Sequence, residues 1–227
     1  MSDWLASIDL WDVLELLAII FGFIYVLLEV KKTRKMWYTM IIASVFNLLV
    51  FFHEHFWAMA AIQIYYIVTA IYGIAQWTDV IEAAVEQYGE VDRKHRKEIA
   101  VVRMDRRKAI ISSALACVAA VVFVLVTSGG YQQAPGDVPG KPYWDAVVAA
   151  LSMLATYWLS QSYYEQWYIW VVVNVSGIVM FLYPLFSGHP ENALFGMGLL
   201  YLAYLVISVT GLVNWKRNEV LIQPKKS

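Results

Sequence analysis

Apolar residues gather along this chain in seven blocks, at about 11–30, 37–53, 56–77, 108–127, 143–161, 166–186 and 192–215. Each is close to the roughly 20 residues that a helix needs to cross a hydrocarbon layer about 30 Å thick. The second and third blocks are parted only by His53-Glu54-His55, a short turn. The opening MSDWLASIDLWD is acidic and lacks both the basic n-region and the small-residue cleavage site of a signal peptide, so the first block is expected to stay in the fold. The pattern predicts an all-α membrane protein with seven transmembrane helices.

Composition agrees. The chain is 60% hydrophobic and 15% charged, against about half and a quarter for a soluble domain. A soluble enzyme is excluded. With 17 Lys+Arg against 18 Asp+Glu, a net charge of −1 and no basic face, so is a nucleic-acid partner. The single cysteine, Cys117, excludes an intrachain disulfide and a multi-cysteine metal site.

Charge placement sets an orientation. Lys31, Lys32, Arg34 and Lys35 follow the first block, eight basic residues lie in 78–108, and Lys216, Arg217, Lys225 and Lys226 close the chain. All of these fall on one side of a seven-span topology, and only Lys141 falls on the other. Basic loops stay cytoplasmic, so the N-terminus is expected outside and the C-terminus inside. The charged stretch within 78–108 reads as a solvated, partly helical cytoplasmic connector. The Gly- and Pro-rich SGGYQQAPGDVPGKPY reads as an outside loop built of turns.

An internal repeat organises the blocks. Ile71-Tyr72-Gly73 with Trp77 returns as Thr210-Gly211 with Trp215, and Tyr66 returns as Tyr204, at an offset of 138. Trp37-Tyr38 returns as Trp167-Tyr168 at an offset of 130, and Trp11-Asp12 is echoed by Trp144-Asp145. The expected architecture is 3+1+3. A first three-helix repeat occupies 1–77, a cytoplasmic linker 78–107, a connector helix 108–127, a second repeat 143–217 and a cytoplasmic tail 218–227. Four crossings separate the two starts, so the repeats run parallel, as in SWEET-type transporters. Such symmetry predicts a substrate site near the bilayer midplane between two halves that rock around it.

Polar and aromatic side chains within the blocks are the candidates for that site. Trp167, Trp170 and Asn174 share one helix face at i, i+3 and i+7, and Trp37, Met40, Ser44 and Asn47 share another. Gln63, Tyr66 and Gly73 align in the third block, and Tyr201, Tyr204, Ser208 and Gly211 in the seventh. A polar group in hydrocarbon needs a partner or a cavity, so Asn47, Gln63 and Asn174 are expected to point inward. Aromatics beside amides suit a flat solute that forms hydrogen bonds, and a cationic ring gains about 0.5–2 kcal/mol more by cation–π contact.

Other features read as structural. Trp11, Trp57, Trp77, Trp144 and Trp215 are expected to be interface anchors, and Trp167 has that reading beside its site reading. Gly73 and Gly211 are expected to allow close helix packing, and Glu165 to cap the sixth block. His53 and His55 lack further ligands, so no metal site is expected. Residues 190–215 hold no lysine, which excludes a retinal Schiff base. No nucleophile–base pair is placed within the spans, and Asp145 and Glu15 lie near helix starts, so no catalytic residue and no cofactor is expected.

WDAVVAALSMLA followed by EQWYIWVVVN resembles the PnuC family of vitamin transporters, whose signature includes W-x-x-W-x-x-x-N, here Trp167, Trp170 and Asn174. Ile71-Tyr72-Gly73 with Trp77 is similar to the family too, and the resemblance covers blocks 1–3 and 5–7. It implies a SWEET-like homotrimer in the bacterial inner membrane that takes up nicotinamide riboside by facilitated diffusion, with phosphorylation by a cytoplasmic kinase trapping the substrate. Trp167, Trp170, Asn174, Asn47, Gln63, Tyr66, Tyr204 and Ser44 are then the expected substrate-binding residues. Where many relatives have basic residues ahead of the glutamate, this chain has Ser160-Gln161-Ser162-Tyr163-Tyr164. Leu28-Glu29 and Ile64-Tyr65-Tyr66 look like relatives that carry thiamine, the second candidate substrate.

Overall fold

The computed structural model describes residues 10–53, 57–88, 101, 103–130, 136–190 and 195–217. Among them are seven α-helices: α1 Leu10–Val30, α2 Lys35–His53, α3 Trp57–Tyr88, α4 Arg106–Thr127, α5 Lys141–Ser160, α6 Gln166–Leu182 and α7 Phe195–Arg217. Each matches one apolar block. The largest departure is α3, which continues past Trp77 because Glu82-Ala83-Ala84 and Glu86-Gln87 are residues that favour a helix. Short 3₁₀ turns, Ser128–Gly130 and Tyr183–Leu185, end α4 and α6.

Among the described residues, five helices are long and apolar enough to cross a membrane, within Val13–Val30, Lys35–His53, Arg106–Val126, Gln166–Leu185 and Gly198–Arg217. Their outer faces are apolar; α4 exposes Ile110, Leu115, Val118, Val121, Val122 and Leu125. Patches that large are covered by something other than water. The remaining helices, α3 and α5, carry more polar side chains, and those bond back to their own backbone. Thr78 Oγ1 donates to Ile74 O, Ser152 Oγ to Val148 O and Thr156 Oγ1 to Ser152 O, each at 2.8 Å. That back-bonding gives each of these three hydroxyl protons an acceptor.

The described residues fall into two compact units. In one, α1 packs on α2 and α2 on α3, and the short segment Ser160–Ser162 groups with them. In the other, α6 packs on α7. Leu154 and Ala155 of α5 meet Ile169 and Val173 of α6, and Ala116 of α4 packs against that cluster. Helix α4 thus belongs with the second unit.

The turn before α2 recurs before α6, residue for residue at an offset of 130. Lys32 (φ 52) and Ser162 (φ 60) are the non-glycine residues with left-handed backbone among the described residues. Thr33 N donates to Leu28 O at 3.2 Å, and Tyr163 N donates to Trp158 O at 3.0 Å. Trp37 N donates to Arg34 O at 3.2 Å, and Trp167 N donates to Tyr164 O at 3.1 Å. At this end of the helices, then, the correspondence differs by three residues from that of the two Trp-Asp pairs.

Of the Gly- and Pro-rich loop, residues 131–135 lie outside the described part. What is described is turn-like: Gly136 and Gly140 have φ of 84° and 70°, and the Gly140 carbonyl accepts from Tyr143 N at 2.9 Å at the start of α5. Most of the charged linker, residues 89–100, also lies outside the described residues, as do Glu54, His55 and the tail from 218.

Candidate functional site

The repeat is most legible in a clasp of two tryptophans and a glycine. In the first unit Trp37 lies on Gly73, where an added Cβ would sit 2.5 Å from Trp37 Cζ2. Trp77 meets the Trp37 ring edge-on, with centroids 5.3 Å apart and planes at 79°. In the second unit Trp167 lies on Gly211, again at 2.5 Å, and Trp215 meets it at 5.7 Å and 79°. All four tryptophans are 0–1% exposed. Trp77 and Trp215 are therefore not interface anchors: each fills the space beside a ring that a glycine has let in. Gly73 and Gly211 do serve close packing. The faces of Trp167 are taken up by this clasp in the described structure. Among the other expected anchors, Trp144 is 40% exposed. Trp11 stacks on His53, with centroids 3.8 Å apart, and the Trp57 side chain lies outside the described part.

One turn further along α6 the polar residues meet. Asn174, 4% exposed, donates from Nδ2 to Ser208 Oγ at 2.9 Å, and Ser208 Oγ donates to Tyr204 O at 2.8 Å. With one of its two amide protons used, Asn174 has its second N–H and its carbonyl Oδ1 to offer a ligand. Trp170, half-buried, packs against the cluster of Leu154, Ala155, Ile169 and Val173, and its Nε1 is buried with no hydrogen bond. A buried donor left unpaired costs about 1–3 kcal/mol. The Tyr201 ring lies against Gly177, where any Cβ would collide with it. It also meets Tyr204 at 6.4 Å and Phe181 at 5.3 Å.

In the first unit, Ser44 (4% exposed) and Gln63 (8%) are buried as expected. Asn47 is half-buried and donates from Nδ2 to Ala43 O of its own helix at 3.1 Å. Tyr66 is half-buried beside Tyr65, with centroids 5.8 Å apart. By the two offsets Ser44 matches Asn174, Tyr66 matches Tyr204, and the pair Asn47/Gln63 matches Gly177/Tyr201. Where the second unit sets a ring on a glycine, the first has two amide residues at the matching sequence positions.

Glu165 departs from its expected role. It stands at the N-cap of α6 but makes no side-chain cap bond. Its Oε1 accepts instead from the backbone N of Met104, at 3.2 Å. Ser208 lies on the candidate face of the seventh block, but its bond to Asn174, the role of Gly177 and the bond from Trp158 Nε1 to Ser112 Oγ at 2.9 Å are not given by the pattern. For Gly177 a signal was present: it stands three residues after Asn174, on the same face.

Comparison with known proteins places this architecture. The family described as nicotinamide mononucleotide transporter matches residues 12–217. The nicotinamide riboside transporter PnuC of Escherichia coli (strain K12) is 21% identical over 201 residues, 83% of this chain and 78% of the relative. The same figures hold for the protein of that name from Shigella flexneri. The one from Neisseria mucosa is 34% identical over 76 residues, 34% of this chain and 28% of the relative. The fold is shared with the crystal structure of the vitamin B3 transporter PnuC, at a TM-score of 0.63 and 19% identity over 95% of this chain and 85% of that one.

Proposed function

This chain belongs to the nicotinamide mononucleotide transporter family of multi-pass membrane transporters, and from that premise we propose that it takes up nicotinamide riboside. The observation that carries the reading is the pair Trp170 and Asn174: an unpaired indole N–H and an amide held in orientation by its bond to Ser208, one turn apart on α6. The pyridinium ring stacks on Trp170, gaining about 0.5–2 kcal/mol by cation–π contact. Its carboxamide and ribose pair with Asn174 Oδ1 and the neighbouring hydroxyls. Trp167 supports Trp170 from within the clasp. Ser44, Asn47, Gln63, Tyr66 and Tyr204 are the further substrate contacts.

The charge pattern favours the riboside over the mononucleotide. α6 and α3 contain no Lys or Arg, and α2 and α7 carry theirs only in a terminal turn, at Lys35 and at Lys216 and Arg217. A phosphate among these candidates would lack a cationic partner. A positive ring needs none.

The wider reading follows the family resemblance. The chain is a 3+1+3 parallel repeat of SWEET type, supported by the clasp and turn found in both units. α3 and α5 span the membrane with the other five helices, the N-terminus is outside and the C-terminus cytoplasmic, and the protein is a homotrimer of the bacterial inner membrane. Transport is facilitated diffusion, and a cytoplasmic kinase traps the substrate by phosphorylation.

The test is calorimetric binding of nicotinamide riboside and thiamine, side by side, to purified wild-type and Trp170→Ala protein. The riboside should bind, and the substitution should weaken it by about tenfold, a loss near 1.4 kcal/mol. Thiamine binding alone would keep the aromatic site and overturn the substrate. Binding of neither would overturn both. In liposomes without an ion gradient, riboside inside should rise to the outside concentration and stop. Accumulation beyond it would refute facilitated diffusion.

A further inference from the structure

The backbone of the turn before α6 copies that of the turn before α2, but of positions 28–37 and 158–167 only Trp37 and Trp167 are identical, and two of the nine differences are exceptional in what they bond to. Trp158 stands where the first unit has Leu28, and Glu165 where it has Lys35. Both exceptions bond to the chain leading into and along α4, which the first unit lacks. Trp158 Nε1 donates to Ser112 Oγ at 2.9 Å; Ser112 lies on α4 and is 9% exposed. Glu165 Oε1 accepts from Met104 N at 3.2 Å, one residue before Asp105 caps α4 by accepting from Arg107 N. Val101, at the head of the same lead-in, is 1% exposed. The repeat mate Lys35, by contrast, is exposed.

The two bonds replace what a helix start ordinarily uses. An N-cap side chain that accepts from the first turn fixes a helix from within its own chain. Glu165 makes no such bond; its carboxylate reaches outward to Met104. A helix start held by a contact from another segment moves with that segment.

We propose that α4 and the described residues of its lead-in, Val101 and 103–105, set the position of the start of α6, and with it Trp170 and Asn174. Trp158 and Glu165 are the positioning residues, and this control belongs to the second unit only. The inference rests on the reading of Trp170 and Asn174 as substrate contacts.

The test uses the full-length protein with two readouts: hydrogen exchange of the backbone over 166–174 without substrate, and calorimetric binding of nicotinamide riboside. In Glu165→Ala, exchange should rise about tenfold and affinity fall by a similar factor, the equilibrium weight of one such bond. Glu165→Gln keeps a carbonyl that accepts from Met104 N and should stay within about twofold of wild type in both. Trp158→Phe keeps the bulk and removes the donor, so it should behave as Glu165→Ala while still yielding folded protein. If Glu165→Gln is as damaging as Glu165→Ala, charge rather than position is at work and the inference fails. Unchanged exchange in both Glu165→Ala and Trp158→Phe overturns it outright. Raised exchange with unchanged affinity leaves the coupling standing and overturns the site reading instead.

Discussion

Gly211→Ala tests the clasp directly. The new methyl would sit 2.5 Å from Cη2 and Cζ2 of Trp167 and 2.7 Å from Cε2. Carbon atoms rest about 3.5–4.0 Å apart, so the ring must withdraw by about 1 Å. It has little room to do so: Trp167 is 1% exposed and Trp215, 0% exposed, stands edge-on to it. Overpacking of this kind costs about 1–3 kcal/mol, and the better helix propensity of alanine returns about 0.8–1 kcal/mol. The net loss is about 1 kcal/mol, or about 3 °C in Tm for a chain of this size. Gly22→Ala is the control: no atom lies within 4 Å of a Cβ there, so only the propensity gain applies and Tm should rise by about 2 °C. Thermal unfolding of both in the same detergent, followed by intrinsic fluorescence, gives the comparison. If Gly211→Ala melts at or above Gly22→Ala, the tryptophan is not clamped and the packing argument is wrong.

Further outcomes follow from the same geometry. Gly73→Ala should match Gly211→Ala in Tm to within about 1 °C, because the ring of Trp37 lies just as close; a clear difference would break the equivalence of the units. Ser208→Ala removes the acceptor for Asn174 Nδ2 and should weaken riboside binding about tenfold by calorimetry, with unchanged affinity counting against the role of Asn174. Ser162→Gly relieves a left-handed φ of 60° and deletes a buried hydroxyl without a partner, so it should stabilise by about 1 kcal/mol. A lowered Tm there would show that the hydroxyl is used. Trp170→Phe keeps a ring but loses the indole N–H, and should retain more riboside affinity than Trp170→Ala in the same titration.

Long apolar blocks specify their own helices, which is why the ends of α1, α2, α4 and α6 fall no more than four residues from where the hydropathy turns. Helix faces were legible too: Met36, Trp37, Met40, Ala43 and Ser44 are buried together on α2, as the 3.6-residue period requires. The tryptophans were not. Interface anchoring and interior packing call for the same residue at the same helix ends, and only the glycine a turn away on the neighbouring helix decides between them. Gly73 and Gly211 made that decision for Trp37 and Trp167, and Trp77 and Trp215 followed. Asn174 pointed inward as expected, but its partner Ser208 is a residue whose hydroxyl could equally have bonded only to its own helix. Glu165 was read from local chain position, whereas its bond spans 61 residues, a distance at which sequence spacing carries no signal.

Small residues alternate sides along α6 and α7. Gly211 on α7 receives Trp167, Gly177 on α6 receives Tyr201, and Gly198 on α7 receives Leu182. Between the first two of these, Asn174 is tied to Ser208. Such an arrangement works as a ratchet with teeth facing both ways. Sliding either helix by one residue, about 1.5 Å, in either direction would drive at least one bulky side chain out of its notch and into backbone. The two helices therefore travel as a single rod, and whatever bends during a transport cycle has to bend at the ends of that rod.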